Sequence, residues 1–197
     1  SVAGTNWRTK PEPGLPKKSP YRRTYRCGDF CIHLIYSVYM KKETPQFWIF
    51  KTEPSAYSID DLKKDQRTEW YGVRNYQVRN FLRDAMHPGD LVLIYHSNSK
   101  EIGIVGIAKV ISGPLLDSEQ FRKASDYYDP KSTKENPRWI SREIQFQKKF
   151  QRTVTLSELR KEKSLRSLAL LQPGSRLSIT PLTEKEFQII LSLEGGM

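Results

Sequence analysis

Cysteine is nearly absent: Cys27 and Cys31 are the only two in 197 residues. That rules out a disulfide-built scaffold. Long apolar runs are missing too. The best candidate, Phe30 to Met40, is well short of the roughly 20 residues a spanning helix needs, and it contains His33, Tyr36, Ser37 and Tyr39. No membrane partner is therefore expected. There is no glycine-rich phosphate loop and no G-x-S-x-G elbow. Of three histidines, only His87 and His96 follow residue 45, and they are not spaced like metal ligands. No catalytic residue, metal or cofactor is expected. Acidic residues are also short, 22 against 33 Lys and Arg, which leaves a net charge of +11. Such a surplus points to polyanions, nucleic acid before acidic membranes. With 37% hydrophobic and 28% charged residues the chain can still bury a core.

The charge is uneven. Residues 1–45 carry nine basic and three acidic side chains, +6 of the total, and residues 46–197 carry the remaining +5. Pro11, Pro13, Pro16 and Pro20 crowd the first stretch, with Lys17, Lys18, Arg22, Arg23 and Arg26 around them. Proline at that density favours extended, solvated chain. Residues 1–45 are thus expected to be a basic, proline-rich extension, and 46–197 the folded domain. The Cys27/Cys31 pair is read as free thiols or, with His33, as a weak metal signal that lacks further ligands. An Arg-rich, acid-poor leader fits a transit peptide. A plainer reading makes Met40 the natural start, with upstream or optional sequence before it.

The run Phe47-Trp48-Ile49-Phe50-Lys51 reads as a buried strand that stops at Pro54. Ser58-Ile59-Asp60-Asp61 fits a capping box and predicts a helix. Asn75 to Met86 places Val78, Phe81, Leu82 and Ala85 on one helical face, with Arg79 and Arg83 on a wet neighbouring face. Leu91–Tyr95 and Gly103–Ile111 predict a hairpin across the polar segment 96–102. Ser112 to Arg138 reads as a long irregular connection, of the kind that is often functional. Trp139–Phe146 predicts a strand, Thr155-Leu156-Ser157-Glu158 a second capped helix, and Arg176–Thr180 a last strand. Thr183-Glu184-Lys185-Glu186 opens a final helix carrying Phe187, Ile190 and Leu191. The pattern predicts an α+β domain of five to six strands with a curled sheet.

Three segments are richer than a scaffold needs. Lys51-Thr52-Glu53-Pro54 puts hydrogen-bonding groups at a strand end. Trp70 to Asn80 combines aromatics, Gly72, Arg74, Arg79 and a helix cap at Asn75, a natural anion site. Tyr127-Tyr128-Asp129-Pro130-Lys131, with Pro137-Arg138-Trp139 beyond, sets aromatics beside cations, as base stacking with phosphate contact requires. Each segment also has a bland reading: a solvated turn, ordinary packing, or Tyr128 and Trp139 clamping the loop to the core.

The chain resembles the EVE domain of the PUA-like superfamily, and most closely its thymocyte nuclear protein-like branch. The resemblance rests on seven ordered pieces spread over about residues 46–193: Trp48 to Pro54, Gly72 to Asn80, Tyr95-His96-Ser97-Asn98, Gly103-Ile104-Val105-Gly106, Tyr127 to Lys131, Asn136-Pro137-Arg138-Trp139 and Gly174 to Ser178. One departure is Tyr71, where family members usually carry an acidic residue. The resemblance implies a small mixed β-barrel surrounded by helices. It also implies a monomeric, non-catalytic module that binds DNA or RNA and takes one modified base into a pocket.

Carried onto this chain, the pocket would use Thr52, Glu53, Pro54, Trp70, Asn75, His96, Ser97, Tyr128 and Trp139. Trp139 would form an aromatic wall opposite the mouth made by Thr52, Glu53, His96 and Ser97, with Trp70 next in line. Arg74, Arg79, Arg83, Lys131 and Arg176 would meet phosphate. The location implied is cytoplasmic, or nuclear in a eukaryote. The rival from another class is an amidohydrolase of modified nucleosides, like the related ASCH domains, using Lys51, Thr52 and Glu53. A third reading is a basic small-ligand or protein-interaction module.

Overall fold

The computed structural model describes residues 45–195. The extension, its thiols and Met40 lie outside the described residues. The chain order is β1 (Phe47–Thr52), α1 (Ile59–Asp65), β2 (Arg67–Trp70) and α2 (Tyr76–Asn80), which continues as a π-helical turn over Phe81–Ala85. Then follow β3 (Leu91–His96), β4 (Gly103–Val110), β5 (Leu115–Leu116), a 3-10 turn at Ser118–Phe121, β6 (Ile140–Thr155), α3 (Leu156–Lys161), β7 (Ile179–Leu182) and α4 (Glu184–Gly195). Strand order is β2-β6-β4-β3-β1-β7, with β5 attached to β6.

β1 is central because both its edges are paired, with β3 in parallel and β7 antiparallel. Alternate residues of such a strand face opposite sides. Trp48 and Phe50 enter one core with Ile59, Leu62, Val78 and Leu82 from α1 and the α2 segment. Ile49 enters a second core with Leu159, Phe187 and Ile190 from α3 and α4. Helices cover both faces, which is why 48–50 and 92–95 are unbroken apolar runs. The α+β class holds. The described residues form seven strands where five to six are expected, and the sheet is a curled open one whose path ends at β2 and β7.

The three capping boxes form as their sequences predict, at Ser58, Thr155 and Thr183. Three other elements differ. β2, polar and four residues long, carries no run of apolar residues and was not expected. β6 extends to Thr155, well past Phe146, because its polar second half pairs with β4 through two register shifts that bend it. The last strand lies two to three residues further on than Arg176–Thr180.

Arg142 of β6 is 1% exposed and has no carboxylate at ion-pair distance among the described residues. Its guanidinium donates to three carbonyls: Leu82 (2.6 Å), Met86 (2.6 Å) and Ser112 (2.9 Å). Two of these are orphan acceptors where the α2 segment ends, the position where a cation is most favourable. Burial lowers the arginine's pKa below its usual value, and the charge of Asp90 pulls the other way. Replacing Arg142 with Met keeps the volume but strands those carbonyls, at about 1–3 kcal/mol per buried orphan. Urea unfolding of R142M is expected to show a loss of at least about 2 kcal/mol. R83A, on the exposed face beside Asp84, should leave the midpoint unchanged.

Candidate functional site

The open sheet leaves a cleft of about 350 Å³ between β2 and the C-terminal end of β1. Thr68, Glu69 and Trp70 of β2 line one side, Lys51 and Thr52 of β1 another. Ser178, just ahead of β7, with Tyr57, Tyr71, Gly72, Val73 and Tyr127, adds to the lining. Four aromatic rings therefore meet a polar rim.

Each ring is held. Trp70 packs on Phe50 at 5.0 Å between centroids. The Tyr57 hydroxyl donates to Asp65 (3.0 Å); burial raises its pKa most, the Thr68 hydroxyl opposes the rise and Asp65 adds to it. Tyr127 lies over Gly72, and a Cβ at that glycine would sit 2.8 Å from the ring. Gly72 also has φ +80°, so both backbone and space demand glycine there. Tyr71 meets Tyr127 edge-on at 5.9 Å.

The loop that delivers Tyr127 is anchored by Asp117, whose side chain is fully buried. Its carboxylate accepts from Gly72 N (3.0 Å), Arg74 Nη1 (2.7 Å) and Glu119 N (2.9 Å). Arg74 in turn donates through Nε to the Tyr127 carbonyl (2.8 Å), and through Nη2 to the same oxygen. Gln120, also fully buried, donates to the carbonyls of Asp117 and Trp139 and accepts from the amides of Arg138 and Trp139.

Several expected site residues lie elsewhere. Trp139 is 5% exposed, stacked on Tyr76 (5.1 Å), with its indole N–H donated to Asp129 (2.7 Å). It clamps the loop and does not line the cleft, whereas Trp70 and Tyr127 do. Tyr128 also stays outside the lining, one residue from Tyr127. Asn75 caps α2 through Val78 N (3.1 Å). Glu53 accepts from Asn98 (3.1 Å), and Pro54 is half-buried in the same turn, so of the Lys51–Pro54 stretch only Lys51 and Thr52 line the cleft. Ser97 donates back to the Thr52 carbonyl from both its amide and its hydroxyl.

His96 is 8% exposed and accepts the Ile59 amide through Nε2 (3.1 Å); it lines a separate hollow with Asp60 and Lys149. The amidohydrolase trio is split, with Lys51 and Thr52 in the cleft and Glu53 on Asn98. Among the expected phosphate contacts, Arg74 is committed to Asp117 and Tyr127, and Arg83 is paired twice with Asp84 at 2.7 Å. Arg79 leans over Tyr76 and meets Asn80 but, among the described residues, no carboxylate, while Lys131 and Arg176 are exposed.

Tyr57, Thr68, Glu69 and Ser178 were not foreseen. β2 is the missing link: without that strand nothing in the sequence brings residues 68–70 opposite 51–52. Among the described residues no helix is long and apolar enough to cross a membrane.

A curled mixed sheet between helical layers, with an aromatic and polar cleft at its unpaired edge, is the build of a PUA-like domain. The EVE domain model matches residues 46–193, and the chain belongs to that family, in its thymocyte nuclear protein-like branch. Human thymocyte nuclear protein 1 is 40% identical over 172 residues, covering 78% of this chain and 76% of its own. The chicken protein of that name is 42% identical over 166 residues, covering 75% and 68%. A solved structure described as human THYN1 in complex with 5-methylcytosine-containing DNA superposes with a TM-score of 0.73 at 40% identity, over 77% of this chain and 99% of that one.

His96 carries a pH prediction. Accepting the Ile59 amide requires neutral imidazole, and burial lowers its pKa from 6.5, with the charges of Asp60 and Lys149 opposing each other. A folded value below the unfolded one means that stabilisation is full above about 6.5 and is lost as pH falls through the folded value. Unfolding free energy measured from pH 7.5 down to 5 should decline, with a shallower slope in H96Q.

Proposed function

We propose that the protein is a non-catalytic reader of a modified base in DNA, and that the cleft between β1 and β2 receives the base. The observation that carries this reading is the lining itself: rings from Tyr57, Trp70, Tyr71 and Tyr127 beside hydrogen-bonding groups of Lys51, Thr52, Glu69 and Ser178. The volume, about 350 Å³, falls at the small end of ligand sites, which run from about 300 to 1,000 Å³. A base that leaves its stack loses a few kcal/mol. Aromatic walls and edge hydrogen bonds offset that loss. The DNA complex of the human relative supports the same partner.

Arg79, Lys131 and Arg176 are the phosphate contacts of this reading. None of them is in an ion pair among the described residues. Phosphate contacts position the strand and base contacts specify. The protein acts as a monomer wherever its nucleic acid is, in the cytoplasm or, in a eukaryotic cell, the nucleus. The separation of Glu53 from Lys51 and Thr52 favours reading over hydrolysis.

Fluorescence anisotropy with oligonucleotides differing in one 5-methylcytosine tests the reading. Preference for the methylated strand is expected. Y127A and W70A should each weaken that binding by roughly five-fold to a hundred-fold, since base–aromatic stacking contributes about 1–3 kcal/mol. W139A should instead lower the melting temperature. Equal affinity for methylated and unmethylated strands would sink the proposal.

Arg79 makes a separate prediction. R79A should weaken binding to both strands alike and flatten the plot of log affinity against log salt by about one unit.

A further inference from the structure

Glu69 is the acidic side chain of the cleft, and its setting has the character of a built acceptor. Ser141 on β6 is fully buried, and its hydroxyl donates to Glu69 Oε1 at 2.6 Å. That bond fixes one oxygen. Oε2 has no hydrogen-bond or ion-pair partner among the described residues. Directly opposite Glu69 in the antiparallel register stands Glu143, a second negative charge on the same face. Two like charges across a ladder are unfavourable unless a donor comes between or beside them. Lys51 lines the same cleft yet stands beyond ion-pair distance of Glu69. The cleft thus offers a strong acceptor on the β2 side and a strong donor on the β1 side.

We propose that Glu69 selects a base carrying an exocyclic amino group, cytosine and its 5-substituted forms, over the matching carbonyl base. Cytosine presents an N4 amino donor, whereas thymine presents an O4 acceptor at that position and the same methyl group as 5-methylcytosine. Ring shape, methyl and stacking surface are shared, so aromatic walls cannot tell the two apart. A carboxylate can: it accepts from N4–H and repels O4. Lys51 donates to the ring's carbonyl oxygen on the other side. Ser141 is a positioning residue, acting through Glu69. This inference rests on the cleft being the base site.

The test uses single-stranded oligonucleotides, so that base pairing plays no part, with 5-methylcytosine, thymine or an abasic site at one position. The wild-type protein should bind the 5-methylcytosine strand roughly ten- to a hundred-fold more tightly than the thymine strand, the worth of a hydrogen bond to a charged group. Glu69→Gln keeps an oxygen for Ser141 and adds an amide donor that suits O4. It should bring the two affinities within about three-fold while still binding both better than the abasic strand. Ser141→Ala should narrow the preference without abolishing it, and remains informative if Glu69→Gln does not fold. Retention of the full preference in both variants overturns the role of Glu69 and leaves the base site standing. Equal binding of all three strands by the wild type overturns the base site itself.

Discussion

The buried carboxylate of Asp117 is the constraint on which the cleft depends. It takes the Gly72 amide, the Arg74 guanidinium and the Glu119 amide at once, and so joins the turn after β2 to the start of the long connection. A charged group with no solvent exposure is tolerable only when all its partners are present. That requirement makes the arrangement nearly all-or-none. If Arg74 moves, Asp117 is left unpaired, and the Tyr127 carbonyl loses its donor. A wall carried on an irregular loop therefore has the positional definition of a wall carried on a strand, which a stacking surface needs if it is to select one ring geometry.

The same logic explains why the sheet stays open. Gln66 O accepts from Phe146 N, so residues 66, 68 and 70 exchange bonds with β6. The amide groups of Arg67 and Glu69 then point off the free edge. Exposed edges invite pairing with other chains, and proteins blunt them. At β7 the blunting comes from Pro181 in a four-residue strand. At β2 it comes from brevity, charge and the Tyr127 loop across its end. Closing the barrel would satisfy those edge groups and eliminate the cleft.

Legibility in the sequence followed the strength of local signals. β1, β3 and β4 announce themselves because burial on two faces demands continuous apolar runs. The capped helices do so because a capping box is a local hydrogen-bond pattern. β2 does not, because Arg67-Thr68-Glu69-Trp70 owes its conformation to β6, some 75 residues away. Which side chains line the cleft is hidden in the sequence for the same reason. Trp139 and Trp70 look alike in sequence, each beside a turn and near arginine. What separates them is whether an acid is placed to take the indole N–H, and Asp129 does so for Trp139. Tyr127 and Tyr128 are neighbours, and the contact with Gly72 decides which ring faces the cleft.

Charge accounting bears on how such a domain divides its binding energy. Of the net +11, residues 1–45 hold +6. Within the described residues Arg74, Arg83, Arg122, Arg138, Lys148, Lys149 and Arg152 are each matched by a carboxylate. Matched cations contribute little to counterion release, because a phosphate must displace a partner already in place. Seven of the 24 Lys and Arg in residues 46–197 are matched in this way, and the net charge of that part is +5, less than the +6 of residues 1–45. Sequence-blind adhesion to DNA, in which phosphate contacts supply nearly all the energy, would draw on that modest surplus. On the proposed reading, the smaller that term is, the larger the share of the total that one ring in the cleft decides, and the less effectively unmodified sequence competes for the protein.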